Sequence, residues 1–210
     1  MARADKTDRQ PVQGTIARER LLTAALGLFT ARGYAATTVR EIVAAAGVSK
    51  PALYYYFSNK EGIYLALMHN TYDTFREMTS FLTAYRGSAR ERIIHFCTGM
   101  FDVFLVNIDI ARIIYSIYFG PPQGAPPFPY DRFFDEMLEI IRGMVQDGID
   151  QEELQKINET DATWAIISGL NSVMEEQLCR DSPRIDRDGL VRMLNLIFNG
   201  INLEERNALT

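Results

Sequence analysis

Three observations predict an all-α fold. Apolar residues recur at helical spacing in every long segment, and no stretch alternates with the period of a strand. Helix-start signals repeat: Thr38-x-x-Glu41, Ser58-x-x-Glu61 and Ser88-x-x-Glu91 each set a carboxylate three residues after a hydroxyl. Stop signals separate them, at Gly33, Gly47, Gly87 and Gly148, and in segment 120–129, which holds five prolines and two glycines.

Nine helices follow from this punctuation. The first is expected over 15–31, with Leu21, Leu22, Ala25, Leu28 and Phe29 on its apolar side and Gly33 closing it. The second covers 39–46: Thr38 and Glu41 form its capping box, Val39, Ile42, Val43 and Ala46 its apolar face, and Gly47 its left-handed end. The third covers 50–57, with Ser49 as cap, Pro51 tolerated in the first turn, and Leu53 and Phe57 four apart toward the core. A long fourth helix spans 59–85, started by the Ser58 box, with Tyr64, Met68, Phe75, Met78 and Leu82 in register. Ser88 caps a fifth helix running to Val106, Asp109 starts a sixth ending at Phe119, and segment 120–129 is a loop. The seventh covers 130–147 and stops at Gly148; the eighth and ninth cover 161–180 and 186–199, separated by Ser182-Pro183.

The second and third helices, joined by a turn containing Gly47, have the form of a helix-turn-helix, whose second helix enters the DNA major groove. An ordinary helical hairpin would leave Tyr54, Tyr55 and Tyr56 without a purpose, because three successive helical positions point about 100° apart and cannot all reach a core. Base reading would fall to Lys50, Pro51 and Ala52 at the front of the third helix, and to Arg40 on the second. Lysine and arginine donate to guanine O6/N7, and an alanine methyl can meet a thymine methyl. Thr37, Thr38 and Ser49 stand at helix N-termini, where hydroxyl and amide groups can meet a phosphate.

Residues 18–67, RERLLTAALGLFTARGYAATTVREIVAAAGVSKPALYYYFSNKEGIYLAL, resemble the N-terminal domain of the tetracycline-repressor (TetR) family of bacterial regulators. The pieces that match are Leu21-Leu22, Ala24-Ala25, Leu28-Phe29, Gly33-Tyr34, Thr37-Thr38-Val39, Ile42, Ala46-Gly47-Val48-Ser49, Leu53 to Phe57 and Lys60-Glu61. The resemblance covers about fifty residues and ends near Leu67. It implies that Tyr54, Tyr55 and Tyr56 touch the sugar-phosphate backbone, that Lys60 contacts a phosphate, and that the last two helices pair two protomers as a four-helix bundle. The implied partners are double-stranded operator DNA, a small-molecule effector and a second copy of the chain.

Composition agrees with that outline. The net charge of −5 divides unevenly: residues 1–62 carry nine Lys+Arg against five Asp+Glu, and the rest carry thirteen against twenty-two. A basic head on an acidic body is the asymmetry expected when one end faces phosphate. The expected domains are an arm over 1–14, where Arg3, Lys6 and Arg9 could add contacts, a DNA-binding head over 15–62, and an effector-binding and dimerisation body over 63–210. No apolar run approaches the roughly 18 residues that span a bilayer, and the N-terminus lacks a signal-peptide centre. A cytoplasmic location is expected. Cys97 and Cys179 lack metal spacing and are expected as buried free thiols. His69 and His95 are too few for a metal site, and no cofactor fingerprint is present.

The body is rich in aromatics. Phe101, Phe104, Tyr115, Phe119, Phe133, Met137 and Trp164 are candidates for an apolar effector cavity, with plain core as the competing reading. His95 and Asp102 share a helix face, as a buried pair or as ligand contacts. Leu170, Val173 and Met174 on the eighth helix, with Leu190, Leu194 and Ile197 on the ninth, are expected at the dimer interface, because a helix apolar around most of its circumference needs partners on two sides. The expected function is a repressor released from a palindromic operator by a small hydrophobic effector, with the fourth helix as the coupling element. The alternative is a DNA-binding dimer whose body takes a protein partner. No nucleophile–base motif argues for an enzyme.

Overall fold

The computed structural model describes residues 10–201, and every regular element among them is an α-helix. The elements are α1 (Gln10–Arg32), α2 (Val39–Ala46), α3 (Lys50–Phe57), α4 (Lys60–Thr83), α5 (Ala89–Val106), α6 (Ile108–Tyr118), α7 (Asp131–Asp150), α8 (Glu159–Cys179) and α9 (Arg187–Ile201). The all-α expectation holds, and the helix boundaries differ at informative places. α1 begins at Gln10, with Pro11 in its first turn, so residues 10–14 are helix rather than arm. Arg3, Lys6 and Arg9 lie outside the described residues.

Asn59, not Ser58, caps α4: its Oδ1 accepts from the Gly62 amide at 2.7 Å. Ser58 instead ends α3 with φ 60°, and its amide donates to the Tyr54 carbonyl. Asn158 likewise caps α8, accepting from Thr160 and Asp161. Gly148 does not stop α7. It lies buried inside the helix, where an added Cβ would stand 2.5 Å from the Ala89 Cβ and 2.9 Å from a Leu154 methyl. Close approach, not chain reversal, is what requires glycine there.

The chain packs as two compact units, divided otherwise than at residue 62. The first comprises the described residues up to Asp73 together with Asp109–Pro129; the second comprises Thr74–Ile108 and the described residues from Tyr130 onward. In the first unit Leu21, Phe29, Ile42, Leu53, Ile63 and Tyr64 are buried almost completely. In the second, α7 packs on α8, α8 on α9, and α5 against all three. Ile93, Phe96, Ile141, Ile166, Leu170 and Phe198 fill its core. Cys97 is buried there, and burial pushes its thiol up to about 12. Cys179 is exposed, contrary to expectation, because it falls in the last turn of α8. His95 and Asp102 do not pair: His95 stacks on Tyr85 with ring centres 4.3 Å apart, and Asp102 accepts from Arg187 Nε at 3.0 Å. Among the described residues no single helix is long and apolar enough to cross a membrane.

Candidate nucleic-acid interface

The helix-turn-helix is built from local signals that all close. Thr38 Oγ1 accepts from the Glu41 amide at 3.3 Å and donates to Glu41 Oε2 at 2.8 Å, while the Thr38 amide donates to the same oxygen at 2.9 Å. Arg32 donates to Glu41 Oε1 at 2.9 Å. These bonds, the Thr38 hydroxyl first, hold the Glu41 carboxyl below its ordinary range. α2 then ends at Gly47, left-handed at φ 61°, with its amide returned to Val43 and Ala44. Ser49 caps α3, accepting from the Ala52 amide at 3.3 Å.

α3 turns Leu53 and Phe57 inward and the remaining side chains outward. Lys50 and Pro51 are exposed and Ala52 is half-buried. The three tyrosines are not equivalent. Tyr55 stands 81% exposed, Tyr54 is 46% exposed, and Tyr56 is half-buried with its ring edge-on to Tyr55 at 4.8 Å. Arg40, second residue of α2, is exposed as well.

Two expected DNA contacts are engaged elsewhere. Thr37 is 1% exposed, and its hydroxyl faces the Gly33 carbonyl at 3.0 Å and the Leu28 carbonyl at 3.3 Å. It ties the end of α1 to the start of α2 and offers no hydroxyl to a phosphate. Lys60 points inward as well: Nζ donates to the Tyr34 carbonyl at 2.9 Å and the Thr37 carbonyl at 3.0 Å. It also lies 4.0 Å from the centre of the Tyr34 ring. Partial burial pulls its ammonium below the ordinary lysine value. The α1–α2 turn is thus held from beneath by α4.

Sequence reasoning missed the other half of that clasp. Gln123, in the proline-rich loop after α6, accepts at Oε1 from the Tyr34 amide at 3.2 Å. The Thr30 hydroxyl meets the Asp109 carbonyl at 3.4 Å, and the His69 and Phe128 rings meet edge-on at 5.3 Å. Segment Asp109–Pro129 therefore belongs with the reading helices. Only contacts between residues far apart in the chain reveal this, so no local signal could have found it.

The residues expected to bind an effector do not form one group. Tyr115 and Phe119 lie on α6 and its end in the first unit; Phe101, Phe104, Phe133, Met137 and Trp164 lie in the second. Phe101 and Met137 are core, at 1% and 9% exposure, whereas Phe119 and Trp164 are 72% and 49% exposed. Phe104, Tyr115 and Phe133 are intermediate, Phe133 meeting Phe75 edge-on at 5.0 Å. An open cleft of about 420 Å³ lies on the α1–α2 side of the head, lined by Ile16, Glu19, Arg20, Thr23, Ala24, Ala45 and Ala46, and none of the candidate aromatics borders it.

The dimer residues need a similar correction. Leu170, Val173, Met174, Leu190 and Leu194 are all at most 5% exposed within one chain, and Ile197 is only partly accessible. Their stripes face neighbouring helices of the same protomer. The exposed apolar side chains on α8 and α9 are Trp164 and, at 72%, Leu196.

Residues 21–67 match the family model of bacterial regulatory proteins, tetR family. Residues 21–67 thus form a tetR-family domain. Two curated relatives are HTH-type transcription regulators. The chain is 48% identical over 109 residues to the HTH-type transcriptional activator FasR of Mycolicibacterium smegmatis, covering 51% of this chain and 50% of that protein. It is 36% identical over 81 residues to YdgC of Bacillus subtilis, an HTH-type transcriptional regulator, covering 39% and 42%. The chain thus spans about half the length of these relatives. The solved structure of a gamma-butyrolactone receptor (ArpA like protein) matches 93% of each chain at 26% identity with a TM-score of 0.67. The family model covers the head, and the all-helical architecture is shared with that solved structure over nearly the whole chain.

Proposed function

We propose that this protein regulates transcription as a dimer on a pseudo-palindromic operator and is released by a small hydrophobic or aromatic effector. The observation that carries the DNA-binding part is the outer face of α3, where Lys50, Pro51, Tyr54 and Tyr55 stand exposed on a helix whose other side is shut into the core. A two-fold pair of such helices reads half-sites about one helical turn or more apart. Dimerisation is supported by Trp164 and Leu196, the large apolar side chains left exposed on α8 and α9.

Effector control draws on Tyr115 and Phe119. Both belong to the segment that packs with the reading helices, and Gln123 of that segment holds the turn that precedes α2. A ligand that shifts α6 would act on that turn directly, beside any action through α4. One structural neighbour is described as a gamma-butyrolactone receptor, which favours a small molecule as the trigger. The rival reading, a protein partner, draws on Tyr118 and Phe119, exposed by 49% and 72% with rings 4.8 Å apart.

Titration of duplex DNA from the chain's own upstream region, at several salt concentrations, tests the first part. About 6–10 neutralised phosphates give a log–log slope of similar size; a flat response removes the reading. Affinity for candidate effectors, measured with and without saturating operator, tests the second. Linkage requires operator to weaken a releasing effector by the same 5- to 150-fold, roughly, by which the effector weakens operator.

A further inference from the structure

The three tyrosines of α3 differ in what they touch, and one of them touches the lysine expected to read bases. Lys50 Nζ lies 5.7 Å from the centre of the Tyr54 ring. We propose that Tyr54 is a positioning residue for sequence readout: its ring face holds the Lys50 ammonium over the front of α3, so that Tyr54 acts on specificity through Lys50. The inference rests on the DNA-binding reading given above and assigns within it a role other than backbone contact.

Helix geometry favours this pair over the alternatives. A side chain at i+4 leans toward the helix N-terminus and covers the turn before it, so the Tyr54 ring comes back over position 50. Tyr55 and Tyr56 lie on other azimuths and meet each other edge-on at 4.8 Å. Lys50 has reason to wander without the ring. It is the first residue of α3, where the positive end of the helix dipole repels a cation. Its four-carbon stem is also among the most rotamer-rich of side chains. The negative face of an aromatic ring opposes both effects, and 5.7 Å is within the reach of that attraction. A lysine held over one azimuth presents its donors to one base step; a lysine free to swing presents them to neighbouring phosphates, which carry no sequence.

The ring, not the hydroxyl, is what this role uses. The full-length chain and its Lys50→Ala, Tyr54→Phe, Tyr54→Ala and Lys50→Ala/Tyr54→Ala variants are to be run against a randomised duplex pool, with base preference read at each position. Tyr54→Phe is expected to keep the parent's preferences. Tyr54→Ala is expected to lower discrimination about 2- to 5-fold, the scale of an exposed cation–π contact, at the position where Lys50→Ala acts. The double variant should add nothing further at that position. Tyr54 is 46% exposed, and thermal unfolding checks that each variant keeps its fold. Equal, uniform weakening by Tyr54→Phe and Tyr54→Ala with preferences intact would make Tyr54 a phosphate contact and overturn the proposal alone. Unaltered preference in Lys50→Ala would overturn it too. A parent that selects no sequence would overturn both this proposal and the reading on which it rests.

Discussion

Replacing Lys60 by methionine separates a phosphate contact from a structural strut. Lys60 Nζ donates to the Tyr34 and Thr37 carbonyls at 2.9 and 3.0 Å and sits 4.0 Å from the Tyr34 ring centre. Hydrogen bonds from a charged donor contribute about 1.5–3 kcal/mol each. The site is only partly buried, and the Tyr34 carbonyl keeps a second donor in the Thr37 amide at 3.3 Å. The lower end of that range therefore applies to the Thr37 bond and still less to the Tyr34 bond, giving a loss of about 2 kcal/mol for the two together. Methionine retains most of the stem, so the packing contribution is nearly conserved. In a chain of this length, about 2 kcal/mol corresponds to a fall of roughly 4–8 °C in Tm. Thermal unfolding measures that loss, and operator titration at several salt concentrations measures phosphate count. The expected result is a less stable protein that binds operator more weakly with an unchanged salt slope. Undiminished stability with a slope reduced by about one would show that Lys60 leaves its carbonyls to meet a phosphate, and would refute the strut.

Three further outcomes are expected. Gln123→Ala should cost about 1 kcal/mol by leaving the half-buried Tyr34 amide without its acceptor, and Gln123→Glu, which keeps a carboxylate oxygen there, should restore it; equal unfolding midpoints for all three proteins would dismiss the contact. Glu176, hydrogen-bonded by Arg184 and flanked by Arg180, titrates at about 2 against an ordinary 4.5, so its contribution is present above 4.5 and fades as pH falls toward 2. Hydrogen exchange in segment 180–186 should accordingly differ between the parent and Glu176→Gln at neutral pH and converge in acid. Leu196→Glu with Trp164→Glu should yield monomers in sedimentation without unfolding the chain, whereas Leu194→Ala, a fully buried site, should cost about 2–5 kcal/mol of stability; intact dimers in the double glutamate variant would place the interface elsewhere.

What the sequence determined by itself was whatever short-range chemistry decides. The Thr38–Glu41 box, the left-handed Gly47, the Ser49 cap and the inward pair Leu53 and Phe57 are each set by residues within four positions, and all stand as their spacing implies. The tetR-family head could be recognised from those signals for the same reason. Tertiary structure decided everything that depends on partners distant in the chain. Periodicity marks Leu170, Val173 and Leu194 as apolar, but it does not tell a neighbouring helix of the same protomer from a second copy. In the folded chain they are already saturated, and Trp164 and Leu196 are left outward. A lysine four residues past a tyrosine run has no sequence mark to distinguish phosphate from carbonyl; Lys60 found Tyr34, 26 positions away. Gly148 reads as a helix stop until Ala89 and Leu154 are seen against it. Gln123 lies 89 positions from the amide it accepts from, within a proline-rich segment that carries no helical period. Caps and turns are local equilibria of a few residues. Burial, ion engagement and the identity of a packing partner are set by close approach of segments that the linear order keeps apart.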